Sequence, residues 1–499
     1  MSRKSVIVIG AGIAGLSAGC YAAMNGYHAH IHEMHTAPGG LCTAWKRGGY
    51  TIDSCIHWLI GSRPGTAFYR IWEELGAVQG RQFIFPEEFI RYEARDGKVF
   101  SIFSNLDRQE RHMLEIAPED AEATRRFCAA ARQFCGVSLP VMKPQPLMSA
   151  WDKMKAAAQV ARLKPFLTWN RVSMTQVLSE FKSPLISAGI RHAWPESFPA
   201  GFLFATLAWL NDGDAGYPLG GSMEFSRAIE KRFRALGGDV FYKSKVAGII
   251  VQNDTAVGVR LEDGTEHYAD AVISAADGHA TIFDWLEGKY ADDTIRGYYK
   301  TLNRFPSLVY VALGVARTFD DVPVLTSNLH VELDEPLTIA DHAVSTLSVR
   351  IFNNDPSHAP AGRTTLLCSF ASDYDWWKQT CRDASCYCRL KEGIADRVVA
   401  ALDHRFPGLA SRVEMRDVAT PLSVVRYTGN WQGSFEGWMV TPETSMVRMP
   451  QALPGLKRFW MCGQWVEPGG GLPPSALSGR NAVQFLCAED RKRFTTSLP

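Results

Sequence analysis

The chain predicts an α/β fold: a Rossmann-like dinucleotide-binding domain assembled from discontinuous segments, with an inserted α+β substrate domain. Three observations predict it. An apolar strand near the N-terminus runs into a glycine fingerprint and then a helical pattern. A second glycine cluster near the C-terminus lies between a strand and a final helix. Between the two, strand-like and helix-like runs alternate with no further fingerprint.

Val6-Ile7-Val8-Ile9 reads as a buried strand, and Gly10-Ala11-Gly12-Ile13-Ala14-Gly15 follows it directly. A helical pattern occupies 16–26, and an extended run over 28–32 ends at Glu33. Gly10 permits the tight turn out of the strand. Gly12 lets a pyrophosphate approach the backbone, and Gly15 lets helix and strand pack closely. The unpaired N–H groups of the first turn, at Ile13 and Ala14, and the positive end of the helix dipole face the phosphates. Glu33 stands about 20 residues beyond the first glycine, where a carboxylate accepts hydrogen bonds from a ribose diol. Pro38-Gly39-Gly40-Leu41 then adds a second glycine turn. NAD does not need it; a longer cofactor continuing past the pyrophosphate would use it.

With 499 residues, 46% of them hydrophobic, the chain is too long for one simple core, and two domains are expected. A formal net charge of +1 gives no sign of nucleic acid as a partner. The first strand starts at Val6, leaving no room for a signal peptide, and no apolar run is long enough to predict a spanning helix. Eleven cysteines, with no export signal, read as reduced thiols in a cytoplasmic setting. Cys381, Cys386 and Cys388 match no common zinc spacing, so no metal is expected.

Taken in order, 48–53 reads as a short hairpin, followed by a segment over 54–61 that holds His57 and Trp58. Asp96-Gly97 turns a second hairpin, and Pro118 opens a helix through 135. Residues 151–169 combine Trp151, Met154, Val160, Leu163, Phe166 and Leu167 with Lys153, Lys155, Arg162 and Lys164. This basic amphipathic helix either packs on its own domain or lies in a membrane interface. The apolar run 198–209 is either core or the wall of a substrate tunnel. A helix over 223–236 ends at Gly237-Gly238. Strands over 239–242, 246–252, 256–261 and 266–273 are expected to form a small antiparallel sheet, with 271–276 returning to the first domain. Strands over 307–315, 344–352 and 364–371 and a helix over 384–406 make a second sheet carrying helices. His404, on that helix, reads as a surface residue. A strand over 458–462 leads through Gly463-Gln464-Trp465 and Gly469-Gly470-Gly471-Leu472 into a final helix over 475–487.

Pro38-Gly39-Gly40 behind the fingerprint, followed by Gly49-Tyr50-Thr51-Ile52-Asp53, resembles the FAD-dependent phytoene desaturase, carotenoid isomerase and retinol saturase superfamily, a branch of the amine-oxidase-like flavoproteins. The resemblance implies FAD as cofactor, with backbone contacts from Val246 to the adenine. At the C-terminal cluster, Gly463, Gly470 and Gly471 would let the backbone approach the flavin, and Leu472 would open a helix whose N–H groups face the pyrimidine edge. Gln464 stands where many relatives carry an acid; its amide can still bond a ribityl hydroxyl.

The same resemblance implies desaturation, saturation or isomerisation at C–C or C=C bonds of a long apolar substrate (polyene, isoprenoid or lipid-like) through hydride exchange at flavin N5. It also implies peripheral membrane contact through 151–169, at the inner face of a membrane. The expected FAD-binding domain is 1–75, 217–285 and 421–499. The expected substrate domain is 76–216 and 286–420, with 140–210 its membrane-facing part. His57, His192 and Glu467 are the candidate catalytic acids or bases, with Glu196 beside His192. An amine or amino-acid oxidase is the alternative, with Tyr427, Trp431 and Trp438 as an aromatic cage and Arg426 as a clamp. A non-catalytic lipid escort resembling the GDP-dissociation inhibitors is a third reading, opposed by the intact glycines at both ends. The sequence sets no oligomeric state.

Overall fold

The computed structural model describes residues 3–160, 163–381, 383–445 and 447–499. Five parallel strands form one layer, in the order Asp239–Phe241, His28–His32, Ser5–Ile9, Ala271–Ser274 and Phe459–Met461. Ser5–Ile9 is central, so later segments join it from both sides. The crevice beyond the strands' carboxyl ends, at such a reversal of strand order, is where open parallel sheets bind ligands. Val6 to Ile9 and Ala271 to Ser274 are buried on both faces, which explains why they read as unbroken apolar runs rather than alternating ones.

The helix Ile13–Met24 packs against Gly221–Ala235 and Leu472–Glu489. Small residues make this meeting close. A Cβ on Gly15 would lie 1.9 Å from the Gly10 carbonyl oxygen, and one on Gly479 would lie 2.3 Å from that of Ala14. The final helix begins at Leu472, directly after the glycine triplet, because Pro473 and Pro474 are tolerated in a first turn whose N–H groups have no intrahelical partner.

The small antiparallel sheet is narrower than the sequence predicts. It holds Val246–Gln252, Thr255–Leu261 and Glu266–Tyr268. The segment 239–241 joins the parallel sheet instead. The expected strand over 266–273 breaks before Ala271, where the Asp270 carboxylate accepts the Ser5 N–H at 2.8 Å and the chain crosses into the parallel layer.

The second layer is a seven-stranded sheet in the order Val413–Ala419, Ser307–Val315, Thr364–Ser372, His342–Ile351, Leu329–Ile339, Glu88–Glu93 and Val99–Phe103. Trp377 and, from the helix Ala384–Arg405, Ile394, Val398 and Leu402 belong to its buried core. The hairpin Ala44–Arg47/Tyr50–Asp53 joins the layers by packing Tyr50 and Ile52 against Tyr310, Leu367 and Met415. The strands Leu329–Ile339 and Val413–Ala419 were not anticipated from the sequence.

The apolar run at 198–209 is core on one side and cavity wall on the other. It forms the helix Ala200–Asn211, burying Leu203, Phe204 and Leu207 in a core while Phe202, Thr206 and Trp209 line a cavity. The single helix expected over 151–169 is described as two, Ala150–Val160 and Lys164–Trp169, with Pro165 in the first turn of the second. Arg162 and the side chain of Val160 lie outside the described residues. Trp151 (59%), Met154 (57%) and Leu167 (47%) are exposed, whereas Phe166 lines the cavity. Among the described residues no helix is long and apolar enough to cross a membrane.

Candidate functional site

A cavity of about 1380 Å³ lies between the two layers. Ligand pockets commonly run to about 300–1,000 Å³, so there is room for a cofactor and a second molecule. Glu33, Gly40 and Leu41 line it from the parallel layer, and Leu308, Tyr310, Arg350 and Leu367 from the seven-stranded sheet. Trp58, Phe166, Trp194, Phe198, Phe202 and Trp209 give it an aromatic wall.

The two N-terminal glycine turns are one structure. The Gly39 N–H donates to the Ala11 carbonyl at 2.8 Å, and Gly12 and Gly39 form an isolated parallel bridge. A Cβ on Gly40 would lie 3.3 Å from the Gly12 Cα. Gly12 itself faces open space: the nearest atom to an added Cβ is the Gly39 carbonyl oxygen, 3.9 Å away. The Glu33 carboxylate is held in place by N–H donors from Ala11 at 2.7 Å and His35 at 2.8 Å. Burial raises its pKa, and each oxygen retains acceptor capacity for a sugar hydroxyl.

At the other end, Gly463 has φ +104° and donates its N–H to Ser478 Oγ at 2.8 Å. Gly469, Gly470 and Gly471 follow at φ +94°, +60° and +90°, a succession open only to glycine, and deliver the chain to the Leu472 helix start. Gly470, Gly471 and Leu472 line the cavity. These residues fit FAD: a cradle at Gly12 that a methyl group would fill, an acid for a ribose, a second glycine turn, and a helix N-terminus at the cavity wall. Gly10 and Gly15 act behind this surface, shaping the turn and the helix packing.

Val246 is buried in the three-stranded sheet and is not a lining residue; the adjoining Ser244 N–H donates to the Glu33 carbonyl at 2.9 Å. Gln464 uses its amide N–H on Asn430 Oδ1 at 2.9 Å, leaving its carbonyl as the group open to another partner.

The catalytic candidates fare unevenly. His57 does line the cavity, but burial, together with the Arg350 charge, pushes its pKa down to about 3. That shift disfavours the imidazolium, the form a general acid would use near pH 7. His192 does not line the cavity; it stacks between Tyr92 and His330, and burial lowers its pKa. Glu196 pairs with Arg191. Glu467 is half-buried and is not a lining residue; burial raises its carboxyl to about 7, partly offset by Arg448.

Two lining residues were missed. Glu436 approaches the glycine triplet, so that a Cβ on Gly470 would lie 2.8 Å from its Oε2. Burial pushes its carboxyl up to about 8, against the opposing effect of the Gly471 N–H. Its signal in the sequence was a lone acid between Phe435 and Trp438. Arg350 is the other, and it carried no signal beyond a charge inside an apolar strand.

The aromatic cage of the alternative reading does not form. Trp438 is wholly buried and packs with Trp431, Trp465 and Tyr299, none of them a lining residue. Tyr427 meets His35 edge to face, and Tyr427 and Arg426, the expected clamp, line the cavity without these tryptophans.

Fold and cavity together define an oxidoreductase of the two-layer, dinucleotide-cofactor class. The chain belongs to the family of flavin-containing amine oxidoreductases, which matches residues 13–487, and FAD is its cofactor. It is similar to the chloroplastic prolycopene isomerase of Daucus carota, 24% identical over 97% of this chain and 80% of that one. It is also similar to the lycopene-forming phytoene desaturase of a Paracoccus species, 24% identical over 98% of each. Among solved structures it shares the fold of an oxidoreductase from Methanosarcina mazei, with a TM-score of 0.60, 16% identity, and coverage of 96% of this chain and 100% of that one.

Proposed function

We propose that this FAD-dependent oxidoreductase acts on C–C or C=C bonds of a long apolar, polyene- or isoprenoid-like molecule, by desaturation, saturation or isomerisation. The observation that carries the reading is the cavity. Its aromatic wall at Trp58, Trp194, Phe198 and Phe202 runs in one continuous space with the Gly470-Gly471-Leu472 turn. The relatives named above, an isomerase of prolycopene and a desaturase of phytoene, point the same way.

When bound, the flavin supplies hydride exchange at N5. The chain's own residues do the rest. The glycine turns and Glu33 hold the cofactor, and the aromatic wall orients an extended apolar chain and excludes water. Glu436 keeps a proton on its carboxyl at neutral pH, the lining group best suited to protect or deliver one beside the glycine triplet. Substrate entry from a lipid surface through 151–169 is supported by one segment exposing Trp151 and Leu167 while turning Phe166 into the cavity.

Anaerobic titration of the purified holoprotein tests the proposal. Candidate polyenes are expected to bleach the flavin's visible band, or the reduced protein to convert them, while amines leave it unchanged. Bleaching by amines with no response to any polyene would replace this reading with the amine oxidase.

A further inference from the structure

Arg350 is 1% exposed and lines the cavity, yet none of its three guanidinium nitrogens has a hydrogen-bond partner. It sits on the strand His342–Ile351, opposite Leu367. Its guanidinium carbon lies 4.4 Å from the Phe352 ring centroid and 5.2 Å from that of Tyr217. These rings hold the plane of the group without satisfying its five donors. Arginine stays charged even when burial lowers its pKa, as it does here. A buried, charged and unbonded fork is costly, and unsatisfied groups of this kind call for a partner.

The neighbouring acids are not that partner. Asp53 accepts from the Cys55 and Ser222 N–H groups and from Ser222 Oγ. Asp355 accepts from Tyr217 Oη, the Gly220 and Ser357 N–H groups and Ser357 Oγ. His358 stands between the two acids, 3.8 and 3.4 Å away. Both carboxylates act on Arg350 through space, against the burial that lowers its pKa, but each serves other donors and neither accepts a hydrogen bond from the fork.

We propose that Arg350 anchors a carboxylate on the substrate, so that the molecule turned over is a long apolar chain ending in a carboxylate rather than an uncharged hydrocarbon. This rests on the reading of the cavity given above. A planar fork matches a carboxylate bidentately. A phosphate would bring a second charge toward Asp53 and Asp355. His57, on which the Arg350 charge acts through space, lines the same cavity. The rest of the pocket, Trp58, Leu308 and Phe198 among it, takes the apolar chain.

The test is binding rather than turnover. All-trans-retinoic acid and its methyl ester are titrated into the FAD-loaded protein at neutral pH, following tryptophan fluorescence and the flavin band. The acid is expected to bind about tenfold tighter than the ester or better, the value of a charge-assisted hydrogen bond. Arg350→Met removes the preference and leaves ester binding in place, whereas Arg350→Lys keeps part of it. Equal binding of acid and ester by the wild-type protein overturns the proposal without any variant, should Arg350→Met fail to fold. An Arg350→Met protein with a shifted flavin band and an undiminished acid preference also overturns it, assigning the fork to the cofactor. If the ester binds as well as the acid and polyenes still bleach the flavin, the anchor falls and the proposed function stands. If neither probe binds and no polyene bleaches the flavin, both fall.

Discussion

Gly12→Ala separates the cofactor cradle from the fold, because the structure leaves room for the added methyl group. Gly12 has φ −68° and ψ 174°, which alanine adopts without strain. The new Cβ would meet nothing nearer than the Gly39 carbonyl oxygen at 3.9 Å. Two small effects then oppose each other in the apoprotein. Restricting the unfolded chain stabilises by about 0.4–1 kcal/mol, and losing glycine at a helix N-cap costs a similar few tenths to about 1 kcal/mol. Apoprotein stability is therefore expected within about 0.5 kcal/mol of wild type.

The cofactor sees something different, since the methyl group stands where the pyrophosphate must come closest. Losing one charge-assisted contact to the first-turn N–H groups costs about 1.5–3 kcal/mol, which is roughly a ten- to hundredfold loss of FAD affinity. Gly15→Ala is the contrast. Its Cβ would lie 1.9 Å from the Gly10 carbonyl and 3.1 Å from the Ala275 Cβ, so helix and strand must separate by about 1 Å, overpacking worth about 1–3 kcal/mol or more. It is expected to lower stability and FAD binding together. Urea unfolding of the apoproteins and fluorescence titration with FAD give both quantities. A Gly12→Ala protein that binds FAD like wild type, or that loses as much stability as Gly15→Ala, would refute the reasoning.

Glu436→Gln removes a pH dependence. The folded carboxyl titrates near 8 and the unfolded one near 4.3, so between these values only the native state holds the proton and wild-type stability falls as pH rises. Urea melts at pH 5 and pH 8 are expected to show that fall in wild type and a smaller one in the variant. His57→Gln is expected to leave the shape of the kcat/KM profile between about pH 6 and 8 unchanged, because the imidazole is already neutral there. A wild-type limb near 6.5 that vanishes in the variant would count against this. Replacing Trp151, Met154 and Leu167 together by serine is expected to weaken co-sedimentation with lipid vesicles while moving urea stability by no more than about 0.5 kcal/mol for each exposed position. Unchanged sedimentation removes that segment as the contact.

How much of this could be read from residues alone depended on the range over which each signal acts. The strand Ser5–Ile9, the fingerprint and Glu33 were legible because their requirements are local: a turn, a close approach and an acid at a fixed spacing. The same holds for Gly463 and the glycine triplet, where successive positive φ values exclude other residues. Strand membership was less legible. The run 239–241 has the composition of a short strand but nothing that specifies a parallel rather than an antiparallel neighbour, and the break before Ala271 rests on a hydrogen bond to Ser5, far away in sequence. Chemistry at the cavity was least legible of all. His57 carries the residue type of a proton carrier, and burial and a charge from a distant strand, neither visible in the local sequence, disfavour its protonated form.

Arg350 is the converse. A sequence reading expects a charged residue in a strand to face solvent, and alternation along His342–Ile351 does nothing to contradict that. The docking of the hairpin Ala44–Arg47/Tyr50–Asp53 onto the sheet, through Tyr50 and Ile52, and the approach of Tyr217 to the guanidinium make that face an interior. The charge is informative because the acids nearest it serve other donors. A fingerprint identifies a cofactor because local backbone geometry has few solutions. A substrate is identified by what the assembled interior leaves unsatisfied, and in this protein the fork of Arg350, all three nitrogens unbonded at the cavity wall, is such a group.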